Sequence, residues 1–172
     1  MDHFVWSYAE GVPELALRLR PIREHWEARG PGLLHRVKLG LPWLSFQKAT
    51  VQLAEPVHGG GGCVLADGEI QFEAVLANPF PQLPEVARLA WLYVCASAKD
   101  NKAPAAFIPI VLEAAEYVEL LQADLETTEF ALKHWLGEPK LPSASALNAW
   151  WQAQRDSVSS ITQWQTAVKQ LS

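Results

Sequence analysis

The sequence predicts a predominantly helical α+β domain, in which a small antiparallel sheet with a β-hairpin packs on a buried central helix. Three observations predict it. From Leu83 to Lys99 the chain reads LPEVARLAWLYVCASAK, with no charge between Leu89 and Ala96, so a helix here is apolar on nearly every side and belongs inside a domain. From Ala49 to about residue 77 the pattern alternates as in strands, and elsewhere apolar residues recur at the three- and four-residue spacing of helices.

The elements follow in order. Leu15, Leu19, Ile22 and Trp26 mark a helix over Pro13 to Gly30 that Pro21 kinks or divides, because an interior proline loses a backbone hydrogen bond and clashes with the preceding turn. Gly30-Pro31-Gly32 reads as a turn into a short second helix, Leu33 to Leu39, ended by Gly40. A strand of about six residues begins at Ala49 with Val51 and Leu53 inward. In CVLADGEIQF, Asp67-Gly68 signals a two-residue hairpin turn. It pairs Leu65 with Ile70, Val64 with Gln71 and Cys63 with Phe72, placing Glu69, Gln71 and Glu73 on the solvent side. Pro84 opens the central helix as its first residue and Lys99 closes it. Its span of about 15 residues is too short to cross a bilayer, which takes roughly 20.

Beyond Pro104, Phe107, Val111, Ala115, Val118 and Leu121 form one helical stripe, and Thr127 to Gly137 forms another helix. Ser143 or Ser145 caps a long last helix through Leu147, Trp151, Val158, Ile161, Val168 and Leu171, interrupted near Ser157 to Ser160. With 49% hydrophobic residues, the chain 1–172 reads as a single domain with a substantial core.

Composition excludes several classes. The net charge of -5, from 14 basic and 19 acidic residues, argues against a general nucleic-acid binder. The charge is uneven, with +2 over residues 1 to 50 and -7 over residues 51 to 172. Two cysteines, Cys63 and Cys95, make no disulfide framework or CxxC pair, and no signal peptide opens the chain, which points to the cytoplasm. The eight tryptophans are spread through every segment, as large core fillers would be.

The motifs that carry chemistry are incomplete. His58-Gly59-Gly60-Gly61-Gly62 has the amide-rich character of anion and oxyanion loops, but no GxSxG, GxGxxG or Gly-Lys-Ser/Thr accompanies it. The run reads as a flexible connection between two strands. His58, Cys63 and Cys95 follow no zinc spacing, and His3, His25, His35 and His134 read as isolated. Glu69 and Glu73 share one strand face about 13 Å apart, too far for a retaining glycosidase pair. Glu113, Glu116, Glu119, Asp124, Glu126 and Glu129 precede any base until Lys133, reading as a solvated acidic face or a docking face for a basic partner.

The order ATVQLAEP, HGGGGCVLADGEIQFEAVLAN, PEVARLAWLYVCAS resembles the core of small zincin metallopeptidases, including the SprT-like group. There, a strand and a hairpin precede the helix that bears HExxH. The resemblance spans less than a third of the chain, and its helix carries Arg88, Leu89, Ala90, Trp91 and Leu92 where histidines would bind metal. It implies no catalytic residue, metal or cofactor here.

These readings converge on a non-catalytic protein-interaction or structural module. The candidate surface is the C-terminal helix with Trp150 and Trp151, since neighbouring tryptophans cannot both enter one core from one helix face. Exposed aromatics anchor interfaces, here with a protein partner or a second copy, and neither nucleic acid nor membrane is expected. The alternatives are an enzyme or enzyme-derived protein with a divergent zincin-like core, its site near His58, Gly60 and Glu73, or a small-molecule binder lined by tryptophans.

Overall fold

Alternating side chains at the start of the chain form a strand that the periodicity left unassigned. In a computed structural model, which describes residues 2–55, 62–74, 82–99, 103–136 and 142–171, β1 (Phe4–Tyr8) runs parallel to β2 (Ala49–Ala54). β2 is parallel to β4 (Ile70–Glu73), and β3 (Gly62–Val64) pairs antiparallel with β4, giving the order β1-β2-β4-β3. The sheet is therefore mixed, not antiparallel. A helical crossover from β1 brings the chain back to start β2 in the same direction, which no hairpin can do.

That crossover is α1 (Pro13–Gly40), one helix of 28 residues holding both Pro21 and Pro31. The expected turn at Gly30-Pro31-Gly32 does not form. Each interior proline costs about 3 kcal/mol, but Leu15, Ile22, Trp26, Leu33, Leu34 and Val37 are all buried along the helix. At roughly 1.5–3 kcal/mol per buried side chain, six of them outweigh two prolines. Gly30 serves packing here: a Cβ would stand 2.5 Å from the Trp26 indole, so glycine leaves room for the ring.

The hairpin register also differs from expectation. Val64 pairs with Ile70 and Cys63 with Gln71, because the loop has three residues. Leu65 N donates to Glu69 O at 2.8 Å, Gly68 N donates to Leu65 O at 2.9 Å, and Gly68 adopts φ 84°, the turn-plus-left-handed-residue arrangement of such loops. The slip of one residue sends Cys63 to the face opposite Ile70 and Phe72. Phe4, Val51, Leu53, Ile70 and Phe72 line the helix-covered face, all buried. Ser7, Gln52, Gln71 and Cys63 form a half-buried row across the other face.

α2 (Glu85–Ala98) is the central helix, buried at Val86, Ala87 and every residue from Leu89 to Cys95. Pro84 is its N-cap and Lys99 stops it in the left-handed region, at φ 53°. A 3₁₀ turn, Pro104–Phe107, leads into α3 (Ile108–Tyr117), followed by α4 (Leu125–Leu136). The expected long last helix is divided into α5 (Ala144–Gln154) and α6 (Ile161–Val168). Ser143 caps α5, and Ser160 with Gln163 forms a capping box on α6. One connected core runs from Phe4 to Ala167, with Trp164 stacked on Phe107 at 4.7 Å and Trp135 on Trp91 at 5.5 Å.

Candidate functional site

Charge, aromatic surface and concavity meet between α1, α3 and α5. α5 puts Trp151 and Arg155 one turn apart, so both reach the same stretch of α3. There Glu113 Oε2 accepts from Trp151 Nε1 at 3.0 Å and from the Arg155 guanidinium at 2.7 Å. The side chains of Arg155 and Glu113 remain about a third exposed. This ion pair separates two open clefts. One, of about 240 Å³, is lined by Arg36, Leu39, Gly40, Ala114, Trp151 and Asp156 among others. The other, of about 320 Å³, lies toward α4 and includes Leu112, Glu116, Thr128, Asn148 and Gln152.

Beside the first cleft, Arg36 stands over the Tyr117 ring, 4.5 Å from its centroid. Tyr117 is 68% exposed and Leu39, in the cleft wall, 60% exposed. Arg155, Arg36, Leu39 and Tyr117 carry no motif in the sequence; the only sign was the i, i+4 spacing of Trp151 and Arg155. Glu113, expected on a solvated face, is instead held by two donors. Glu116, Glu119, Asp124, Glu126 and Glu129 are exposed, and Asp124 caps α4 through Thr127, whose hydrogen bonds hold its carboxyl below the usual carboxylate range.

Trp150 and Trp151 are not a surface pair. Both are buried, their ring centroids 6.3 Å apart and their planes at 42°. Trp150 turns toward α6, where its Nε1 donates to Ala167 O at 2.9 Å and its ring meets Trp164 edge-on. Trp151 turns toward α3. Adjacent positions on one helix point about 100° apart, and α5 has core on both sides because the chain folds back as α6.

Glu73, expected to face solvent, is 4% exposed. It ends β4 where α2 begins: Arg88 stacks 4.2 Å from the Phe72 centroid and donates to Glu73 O at 2.7 Å. Arg18 and Glu85 pair beside it. Burial pulls the Arg88 guanidinium down to about 10, against the opposing pull of Glu85 and Glu73. Burial, with help from Glu73, pushes the Cys63 thiol up. His58 and Gly60 lie outside the described residues; of the other three, Trp150 and Trp151 pack against each other and Glu73 ends β4 beside Arg88.

Among the described residues no group of three or more His, Cys, Asp or Glu side chains is placed to hold a metal ion. Among the same residues no helix is long and apolar enough to cross a membrane. No protein-family model, curated protein or solved structure matches the chain.

Proposed function

We propose that this chain is a non-catalytic protein-interaction module whose α1–α3–α5 cleft seats an apolar anchor side chain of a partner. One observation carries the reading: Leu39 and the Arg36-covered Tyr117 stand mostly exposed around a cleft whose wall, Trp151, is locked by Glu113. Arg and aromatic side chains around a preformed concavity are the residue types that dominate interface energetics. The exposed acids from Glu116 to Glu129 suit a partner that is basic beside its anchor. The Cys63 thiol, which forms no disulfide, fits a reducing cytoplasm.

Descent from a zincin-like core is the second reading, favoured by the order β2, hairpin, α2. It leads to the same kind of role, because Arg88 to Leu92 occupy the helix where ligands would stand.

The test is a comparison of partner capture by the native chain and by Leu39→Ser/Tyr117→Ser. Both side chains are exposed, so folding is expected to change by less than about 0.5 kcal/mol each. A partner held by the native chain and lost by the double variant, with unchanged circular dichroism, is the expected result. Equal capture by both would remove the cleft from the interaction.

A further inference from the structure

Among the described residues, β1 leaves one side of its backbone unpaired. Its odd-numbered residues bond to β2: His3 O accepts from Ala49 N at 3.0 Å, and Ala9 N donates to Leu53 O at 2.9 Å. In a parallel ladder these bonds come from alternate residues of the strand, so the N–H and C=O groups of Phe4, Trp6 and Tyr8 point away from the sheet. β1 is an end strand, and no hydrogen bond reaches those outward groups among the described residues. Three features that close an edge are missing from this strand. FVWSY has no proline and no charge, and its five-residue register with β2 has no bulge. Val5 and Tyr8 are exposed along it.

We infer that β1 accepts an extended strand from a partner protein, uncharged along Phe4–Tyr8 and bearing Lys or Arg where it reaches the C-terminal end of β1. Backbone groups of fixed direction select a strand, since only a strand presents a matching row of donors and acceptors. Charge selects its ends. Glu10 lies two residues beyond β1, Glu55 one residue beyond β2, and Glu14 in the first turn of α1. All three are exposed and, among the described residues, none forms an ion pair. A second copy of β1 fits less well. Antiparallel pairing that sets Trp6 opposite Trp6 and Phe4 opposite Tyr8 also sets Asp2 against Glu10, a like-charge contact that destabilises strand pairs.

The experiment uses two synthetic peptides, Lys-Lys-Thr-Val-Thr-Val-Thr-Lys-Lys and its counterpart with glutamates in place of the lysines, with amide hydrogen exchange of the full chain as readout. In the free protein the Trp6 and Tyr8 amides are expected to exchange fast, while Val5 and Ser7 are protected. The lysine peptide should slow the Trp6 and Tyr8 amides at least tenfold. The glutamate peptide should bind at least tenfold more weakly, as should Tyr8→Pro, whose ring replaces an outward N–H and removes no bond to β2. Glu10→Lys/Glu55→Lys, which alters exposed side chains alone, should reverse the peptide preference and carries the test if Tyr8→Pro does not fold. Slow Trp6 and Tyr8 amides in the free monomer, equal binding of both peptides, absence of any protection, or a β1-dependent dimer in sedimentation would each overturn the inference.

Discussion

Trp151 donates its indole N–H to Glu113 at 3.0 Å, and the same carboxylate oxygen accepts from Arg155 at 2.7 Å. A single acid on α3 therefore fixes both a core ring and a surface cation of α5. Glu113→Ala leaves the buried Trp151 N–H without an acceptor, a loss of about 1–3 kcal/mol. Arg155, a third exposed, turns to water and adds little. Glu113→Gln keeps an acceptor for Trp151 and should cost less than about 1 kcal/mol. Urea unfolding of the two variants checks the ranking, and equal losses would show that the charge, not the acceptor, matters.

Truncating either neighbouring tryptophan should behave as a core deletion. Trp150→Ala and Trp151→Ala should each cost about 3–5 kcal/mol, as large-to-small changes in packed interiors do. Trp164, fully buried between Phe107 and Trp150, should be at the top of that range. Chemical denaturation measures all three; a loss under about 0.5 kcal/mol for Trp150 or Trp151, the surface-substitution scale, would return that ring to the surface.

The buried helix and the carboxylate-to-indole contact differ in how they could be read from the chain. α2 was legible because an uncharged run has only one good location, and the Ser157–Ser160 interruption was legible because serines cap helices. α1 was not, because Pro21 and Pro31 are local signals and the burial that overrides them is tertiary. β1 was missed because five residues with aromatics on one side are too short to show a period, and the hairpin slipped because Asp67-Gly68 serves two-residue and three-residue loops alike. The site was least legible. Trp151 and Glu113 are 38 residues apart, and nothing in either segment marks the other.

Gly30→Ala should destabilise, although alanine is the better helix former by about 1 kcal/mol. The added Cβ would stand 2.5 Å from the Trp26 ring, so the indole must move within a packed layer with Phe4 and Tyr93. Overpacking of this kind costs about 1–3 kcal/mol. Trp26→Leu should remove that penalty and let the alanine show its helix preference. A double-mutant cycle measures the coupling, and strict additivity would mean that the ring does not constrain residue 30.

Gly68→Ala tests the three-residue hairpin loop without steric interference, since nothing lies within 4 Å of the position a Cβ would take. Its φ of 84° should cost an alanine about 1 kcal/mol, and asparagine less. Thermal unfolding should show Gly68→Ala the less stable of the two variants; an unchanged alanine variant would mean that residue 68 does not hold a positive φ.

Stability should rise with pH through the histidine range. Burial holds the His3 imidazole below its ordinary value of 6.5, with Asp2 pulling the other way, and among the described residues its Nδ1 has no hydrogen-bond partner beside Trp26 and Tyr93. Burial, followed by Lys133, acts in the same direction on His134. As pH falls below 6.5 the unfolded chain takes up these protons first, so it binds more protons than the folded one and stability drops until the lowered folded values are passed. Above 6.5 both states are neutral and the contribution is complete. A full proton difference is worth about 1.4 kcal/mol per pH unit, and denaturation at about pH 5, 6 and 7 measures the slope. His3→Gln should flatten it; the native slope persisting in that variant would place its origin away from the β1–α2 aromatic layer.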